Sequence, residues 1–194
     1  MEIGFKYFDQ SRINPLLLKV SSFIKAVHLV ECLIENPNLN VYYSHLAIPE
    51  LRWVNIFDKQ RSLQYSDRIK TFLSELVHEL QFTVNKLDTT YSHFIGNYSF
   101  NSTSKDDVIE YDTTTINGII SLENSKKTTA TTITKQVFFV FVKTLHELGH
   151  AAIFRSGRSI VSSSTHIYKR NKNECFTTPA THALSAEAGN AIER

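Results

Sequence analysis

Two segments in the first half of the chain place apolar residues at helical spacing. From Pro15 to Glu35 such residues recur close to every 3.6 positions, and a proline suits the first turn of a helix. Asn36-Pro37-Asn38 then ends the pattern. The second segment has the clearest amphipathic stripe in the chain, made of Ile69, Phe72, Leu73, Leu76, Val77, Leu80, Val84 and Leu87. We predict that both segments are core helices.

The segment from Gly96 to Thr132 is different, because serine, threonine, asparagine and aspartate dominate it. Two short runs within it, Val108–Tyr111 and Ile116–Leu122, have the character of β-strands. Asn117-Gly118 is a hairpin signal between apolar residues, although the turn could also lie at Asp112–Thr115. This part of the chain is therefore predicted to supply a small, mostly antiparallel sheet.

The last third of the chain returns to a helical pattern. It begins near Thr131 and continues past Ala152. After a polar loop, Thr178 is a suitable N-cap and Pro179 a suitable first residue for an alanine-rich helix that runs to Arg194. Helices before and after a small sheet predict an α+β fold.

Composition limits the functions that such a fold could have. Apolar residues make up 42% and charged residues 21% of 194 residues, which is typical of an ordinary soluble domain. The net charge of +2 argues against a nucleic-acid or membrane partner, and two cysteines are too few for a disulfide-stapled scaffold. We see no signal peptide or membrane-spanning run, so cytoplasmic localisation is expected by default, with secretion open if a leader has been removed.

One short motif carries recognisable chemistry. His146-Glu147-Leu148-Gly149-His150 has the pattern H-E-x-x-H inside the third predicted helix. Two histidines four residues apart lie about 40° apart on one helix face, where each can direct a nitrogen at a single Zn²⁺. The glutamate between them flanks the metal position without ligating it, and it can deprotonate a water bound there. The motif thus predicts His146 and His150 as zinc ligands and Glu147 as the general base.

A chance occurrence of this motif is rare. With eight histidines in 194 residues, a random order of the same chain gives roughly 0.02 matches. The apolar run Val137–Leu145 leads directly into the motif, as expected for a metal-bearing helix buried beside a cleft. The alternative is a helix whose histidines are merely hydrogen-bonded in a polar seam.

The motif on its helix resembles the active-site helix of the zincin metallopeptidases. A metzincin would continue with glycine and histidine where this chain has Ile153 and Ser156, and no segment resembles the aspartate-ligand branch. The chain is most similar to the gluzincins, as a small minigluzincin-like domain, over roughly residues 108–194. The resemblance implies one zincin-like domain over residues 1–194, with a mainly helical scaffold in 1–95 and the sheet, active-site helix and third-ligand helix in 105–194.

The resemblance also implies that a glutamate on a later helix is the third zinc ligand. Glu187 is favoured because it lies among small residues that allow close approach to the metal helix. Three alternatives stay open, namely Glu174, His182 and Glu193. Gluzincins often carry an acid four residues after this ligand, but Ala191 stands there, so a group that orients a histidine must come from elsewhere.

The activity that the resemblance implies is hydrolysis of peptide bonds in a peptide or protein substrate, with one catalytic zinc ion. Glu147 would activate the water and later protonate the leaving amine. An edge strand before the active-site helix would pair with the substrate, which assigns this role to Ile116–Leu122 unless that run is an ordinary hairpin strand. The oxyanion usually needs a further donor, for which the sequence offers Tyr111, His166, Tyr168 and His182.

Two other functions fit the same residues. One is a catalytically silent zincin-fold module that binds zinc or peptide, which the small size and Ala191 favour. The other is a helical interaction protein in which the motif is accidental. The zinc content of purified protein separates the last from the first two, and chelator-sensitive cleavage of a peptide library separates the enzyme from the silent module.

Overall fold

The chain folds into helices and a small sheet, as a computed structural model that describes residues 4–44, 59–88, 90–96 and 107–163 shows. The helices are α1 (Ser21–Glu35), α2 (Pro37–Asn40), α3 (Lys59–Leu63), α4 (Ser66–Glu79), α5 (Thr113–Glu123) and α6 (Ala130–Ser163). The strands are β1 (Gln81–Asn85), β2 (Ser92–Ile95) and β3 (Val108–Asp112). Short 3-10 turns lie at Gln10–Arg12, Leu17–Lys19 and Val41–Tyr43. The α+β class predicted from the sequence is confirmed.

The first predicted core helix is confirmed as α1. Its inward face consists of apolar side chains that are at most 1% exposed, namely Phe23, Ala26, Val27, Val30 and Ile34. The helix ends at Asn36, whose N–H donates to the carbonyls of Cys32 and Leu33. At the other end, the carboxylate of Glu123 on α5 accepts the N–H groups of Ser21 and Ser22, at 2.9 and 2.6 Å. A negative charge at a helix N-terminus is stabilising, so α5 helps to fix where α1 begins.

The second predicted helix, α4, is shorter than its apolar stripe suggested. It ends at Glu79, and Val84 and Leu87 lie in β1 and the residues after it instead. Gln81–Asn85 forms a strand instead of a further helical turn because β1 pairs with β3 and Phe82 is buried. The N–H of Gln81 also donates to the carbonyl of Asp107, at 2.9 Å. Long-range strand pairing therefore outweighs the helical spacing over these residues.

The sheet is mixed rather than mostly antiparallel. Its strand order is β1-β3-β2, with β3 parallel to β1 and antiparallel to β2. Two of the three strands precede residue 96, so the sheet is not confined to the second half of the chain, where we expected it. Outside β1, Ile13 forms a bridge with Phe82. Both β1 and β2 are edge strands; within the described ranges β1 has the Ile13 bridge on its outer side, and β2 has no strand partner on its outer side, which we call the open edge.

The prediction of a strand at Ile116–Leu122 is wrong, because these residues belong to helix α5. Asp112 is the N-cap, and its Oδ2 accepts the N–H of Thr115 at 2.8 Å. Ile116 and Ile119 are buried three residues apart, which suits a helix and not a strand. Asn117-Gly118 therefore lies within a helix and forms no hairpin turn.

Helix α6 confirms the third predicted helix and carries the H-E-x-x-H motif. It packs against α1 and against the edge strand β2. None of the helices in the described part of the chain is long and apolar enough to cross a membrane. The helix predicted from Thr178 to Arg194 lies outside the described residues.

Candidate metal centre

The turn of α6 that carries the motif is held in place by the core on one side. Leu145 and Leu148 are buried in the core, whereas His146 and His150 are partly exposed. The hydroxyl of Tyr43 donates to the carbonyl of Leu145 at 3.2 Å. Burial raises the pKa of Tyr43 above its usual value, which keeps this hydroxyl protonated as a donor.

The histidines of the motif face each other on the partly exposed side of the helix. The Nε2 atoms of His146 and His150 are 3.2 Å apart, and the ring centroids are separated by 4.9 Å with an interplanar angle of 68°. At this distance one ring can donate to the other as neutral imidazoles. The structure thus brings together the two residues that the motif predicts as ligands.

The separation of the two nitrogens fits a tetrahedral zinc ion. Two ligand atoms at 2.0–2.1 Å from such an ion are about 3.3–3.4 Å apart, which is close to the 3.2 Å between the Nε2 atoms of His146 and His150. Imidazole nitrogen is also a preferred zinc ligand. The two side chains could therefore hold zinc with little movement of either ring.

Glu147, the predicted general base, is 4% exposed and lies against the edge strand. Its Oε1 accepts a hydrogen bond from the hydroxyl of Ser92 on β2, at 2.7 Å. Within the described ranges this is the single hydrogen bond of the carboxylate. The structure thus joins the glutamate of the motif to the edge strand β2.

A second polar contact joins the sheet to the same helix face. The hydroxyls of Tyr111 on β3 and Thr144 on α6 are 2.8 Å apart. Because Thr144 donates its proton to the carbonyl of Val140, Tyr111 is the donor in this pair. Burial, together with the nearby charge of Glu147, raises the pKa of Tyr111 above its usual value. Tyr111 is therefore engaged within the core and is not placed to stabilise an oxyanion in a cleft.

The predicted third ligand and its alternatives all lie outside the residues that the structure describes. Glu187, the favoured candidate, and the alternatives Glu174, His182 and Glu193 all lie beyond residue 163, as do the oxyanion candidates His166 and Tyr168. In the described ranges, no group of three or more His, Cys, Asp and Glu side chains is arranged to hold a metal ion. The described part of the site is thus a two-histidine half-site with an adjacent carboxylate.

Ser92 and the strand to which it belongs are not predicted from the sequence. The segment Ser92-His93-Phe94-Ile95 follows a helix-like stripe and precedes a polar region, so it attracted no strand prediction. Alternation along β2, with Ser92 buried and His93 exposed, is the signal that could have identified it. Four residues are too few for this alternation to stand out in the sequence alone.

Comparisons with known proteins place no family name on this arrangement. No family model, curated protein or solved structure matches the chain.

Proposed function

We propose that the protein is a zinc-dependent peptidase of the gluzincin type. The observation that carries the proposal is the 3.2 Å separation of the His146 and His150 Nε2 atoms, with Glu147 beside them on the same helix. This separation suits two ligands of one tetrahedral ion. Glu187 is our proposed third ligand, by resemblance to gluzincins.

A zinc ion held there would supply a Lewis acid that polarises a carbonyl group and acidifies a water molecule. The chain's own contribution is the carboxylate of Glu147. It accepts a proton from the attacking water and then delivers that proton to the departing amine. Its burial against β2 keeps it close to any backbone that lies along this strand.

Strand β2 takes the place of Ile116–Leu122 as the proposed docking edge for a peptide. It pairs with β3 on one side and forms the open edge of the described sheet on the other. An extended peptide could add to this edge through backbone hydrogen bonds, with its scissile bond next to Glu147. The substrate class that follows is an extended segment of a peptide or protein.

The proposal is tested first by measuring zinc in the purified protein by elemental analysis. We expect one zinc ion per chain in the parent and loss of zinc in His146→Ala and His150→Ala, since each variant removes one of two described ligands. His78→Ala is the matched control, because His78 is exposed on α4 and belongs to no part of the site. Zinc retained by both motif variants would refute the metal centre.

The same measurement identifies the third ligand and the type of function. Glu187→Ala should lose zinc, whereas Glu193→Ala should keep it; the reverse result would move the ligand to Glu193. A parent that holds zinc should cleave a mixed peptide library, and a chelator should abolish the cleavage. Stoichiometric zinc without cleavage would instead identify a silent binding module.

A further inference from the structure

The contact between Ser92 and Glu147 joins the open edge strand to the proposed general base. Ser92 is 6% exposed and Glu147 is 4% exposed, so the bond between them is shielded from water. A hydroxyl that donates to a carboxylate forms a charge-assisted bond, which is stronger than a bond between neutral groups. The two residues are 55 positions apart in the sequence, so the fold, not local structure, creates this contact.

A second hydrogen bond between the sheet and α6 holds the backbone around Ser92 in place. Ser92 pairs directly with Tyr111 across the sheet, and Tyr111 donates to Thr144, three residues before Glu147 on the same helix face. The paired strand residues Ser92 and Tyr111 are thus both hydrogen-bonded to α6, at Glu147 and Thr144. The far end of β2 is held as well, since the ring of Phe94 packs edge-on against that of Phe154, with centroids 5.6 Å apart.

We infer that Ser92 is a positioning residue for Glu147, an inference that rests on the proposed peptidase function. In the part of the chain that the structure describes, Ser92 is the one hydrogen-bond donor to the carboxylate, and it engages Oε1. Oε2 is then the oxygen that receives the proton of the attacking water. Rotation about the terminal torsion of a glutamate is otherwise loosely restricted, so this bond selects one orientation of the base.

The first test compares Ser92→Ala and Ser92→Thr in the zinc-loaded protein. Loss of the hydroxyl should lower kcat about 10-fold with KM changed less than about 2-fold, because the bond orients the base and contacts no substrate. Threonine keeps the hydroxyl and should restore most of kcat. Zinc content should be unchanged in both variants, since the Ser92 hydroxyl donates to Glu147, which is not a proposed zinc ligand.

Thr83→Val is the matched control. Thr83 lies on β1, and its buried Oγ1 has no hydrogen-bond partner among the described residues. Its removal deletes a buried hydroxyl on another strand of the same sheet, one that makes no described hydrogen bond, and should leave kcat and KM unchanged. Equal losses of kcat in Thr83→Val and Ser92→Ala would overturn the positioning role.

The second test needs neither zinc nor activity. In the zinc-free protein, Ser92→Ala should lower the urea midpoint of unfolding in the parent but have little further effect in a Glu147→Ala background. A purely structural role of the serine side chain predicts the same shift in both backgrounds. Additive shifts would therefore overturn the inference even if the parent is an active peptidase.

The two tests separate this inference from the proposed function. A parent that cleaves no peptide refutes the peptidase, and the coupling in the zinc-free protein then decides by itself whether Ser92 holds Glu147. An active parent whose kcat survives Ser92→Ala keeps the peptidase and refutes the positioning role.

Discussion

Each of the two long helices buries one glutamate, and the two carboxylates are used in opposite ways. Glu31 on α1 is 7% exposed, and its Oε1 accepts the N–H groups of Lys6 and Tyr7 at 2.6 and 2.9 Å. Its Oε2 lies 3.1 Å from Nδ1 of His28. Glu147 on α6 has a single donor, Ser92, within the described ranges. Both oxygens of Glu31 are thus engaged, whereas Oε2 of Glu147 has no hydrogen bond from the residues that the structure describes.

Under the proposed function, this difference separates a structural acid, Glu31, from a catalytic one, Glu147. Buried carboxylates are costly unless hydrogen bonds compensate for lost hydration. Glu31 meets this requirement with backbone donors and so fastens the N-terminal segment to α1. Glu147 meets it only in part, which is unfavourable for stability but leaves an acceptor for a proton. Burial is thus common to both glutamates, and the number of hydrogen-bond donors among the described residues is what distinguishes them.

The largest effect that follows from this comparison is on turnover. Glu147→Gln removes the proton acceptor, so we expect peptide cleavage to fall by roughly 10²–10⁴-fold with zinc content unchanged. The glutamine oxygen can still accept from Ser92, and the free energy of unfolding should change by less than about 1 kcal/mol. Steady-state cleavage and urea unfolding of the same preparation measure both effects.

The matched variant, Glu31→Gln, should show the opposite result. It weakens charge-assisted bonds to the backbone of Lys6 and Tyr7, so the free energy of unfolding should fall by about 1–3 kcal/mol. The turnover of the folded fraction should stay at the parent's level. If turnover fell equally in both variants, the distinction between the two glutamates would be wrong.

Whether a feature of this fold can be predicted from the sequence depends on whether local or long-range interactions form it. Local patterns predicted α1, α6 and the histidine pair, because the spacing of apolar residues and of two histidines on one helix is a property of that helix alone. Strand β3 was predicted correctly at Val108–Tyr111 from its β-like residues.

The features that the sequence did not predict depend on contacts between distant segments. Residues Gln81–Asn85 continue a helical stripe and become a strand only because β3 lies beside them. Asp112 is a suitable N-cap for α5, but the Asn117-Gly118 pair is a strong hairpin signal that favours a strand prediction for the same residues. The Ser92–Glu147 bond depends on the placement of β2, which no local pattern specifies.

The packing of β2 against α6, which holds Ser92 next to Glu147, also depends on a glycine. A Cβ atom on Gly96, the residue after β2, would lie 2.5 Å from the ring of Phe154 on α6. Phe154 is 8% exposed and has little room to withdraw. We therefore expect Gly96→Ala to lower the free energy of unfolding by about 1–3 kcal/mol, measured by urea denaturation.

Gly118→Ala is the control for this glycine. A Cβ there would meet nothing within 4 Å, and Gly118 lies inside α5. Alanine is the better helix former, so this variant should raise the free energy of unfolding by about 0.5–1 kcal/mol. A Gly96→Ala protein as stable as the parent would show that β2 and α6 can separate at little cost, which would weaken the case for a fixed Glu147.

The smallest expected effect concerns Glu35, one turn after Glu31 on α1. Hydrogen bonds from Lys6, Lys70 and Tyr7 lower the pKa of Glu35 from 4.5 to about 2. Because the pKa is lower in the folded state than in the unfolded chain, this carboxylate stabilises the fold above about pH 4.5, and the contribution is lost as the pH falls towards 2.

Glu35→Gln should therefore be less stable than the parent near neutral pH, and the difference should shrink as the pH falls from about 5 to 2. The group is at the surface, so salt should reduce the difference as well. Unfolding midpoints of both proteins across this pH range measure the effect. A difference that stays constant with pH would mean that Glu35 acts through packing rather than charge, and Glu31 alone would then fasten the N-terminal segment to α1.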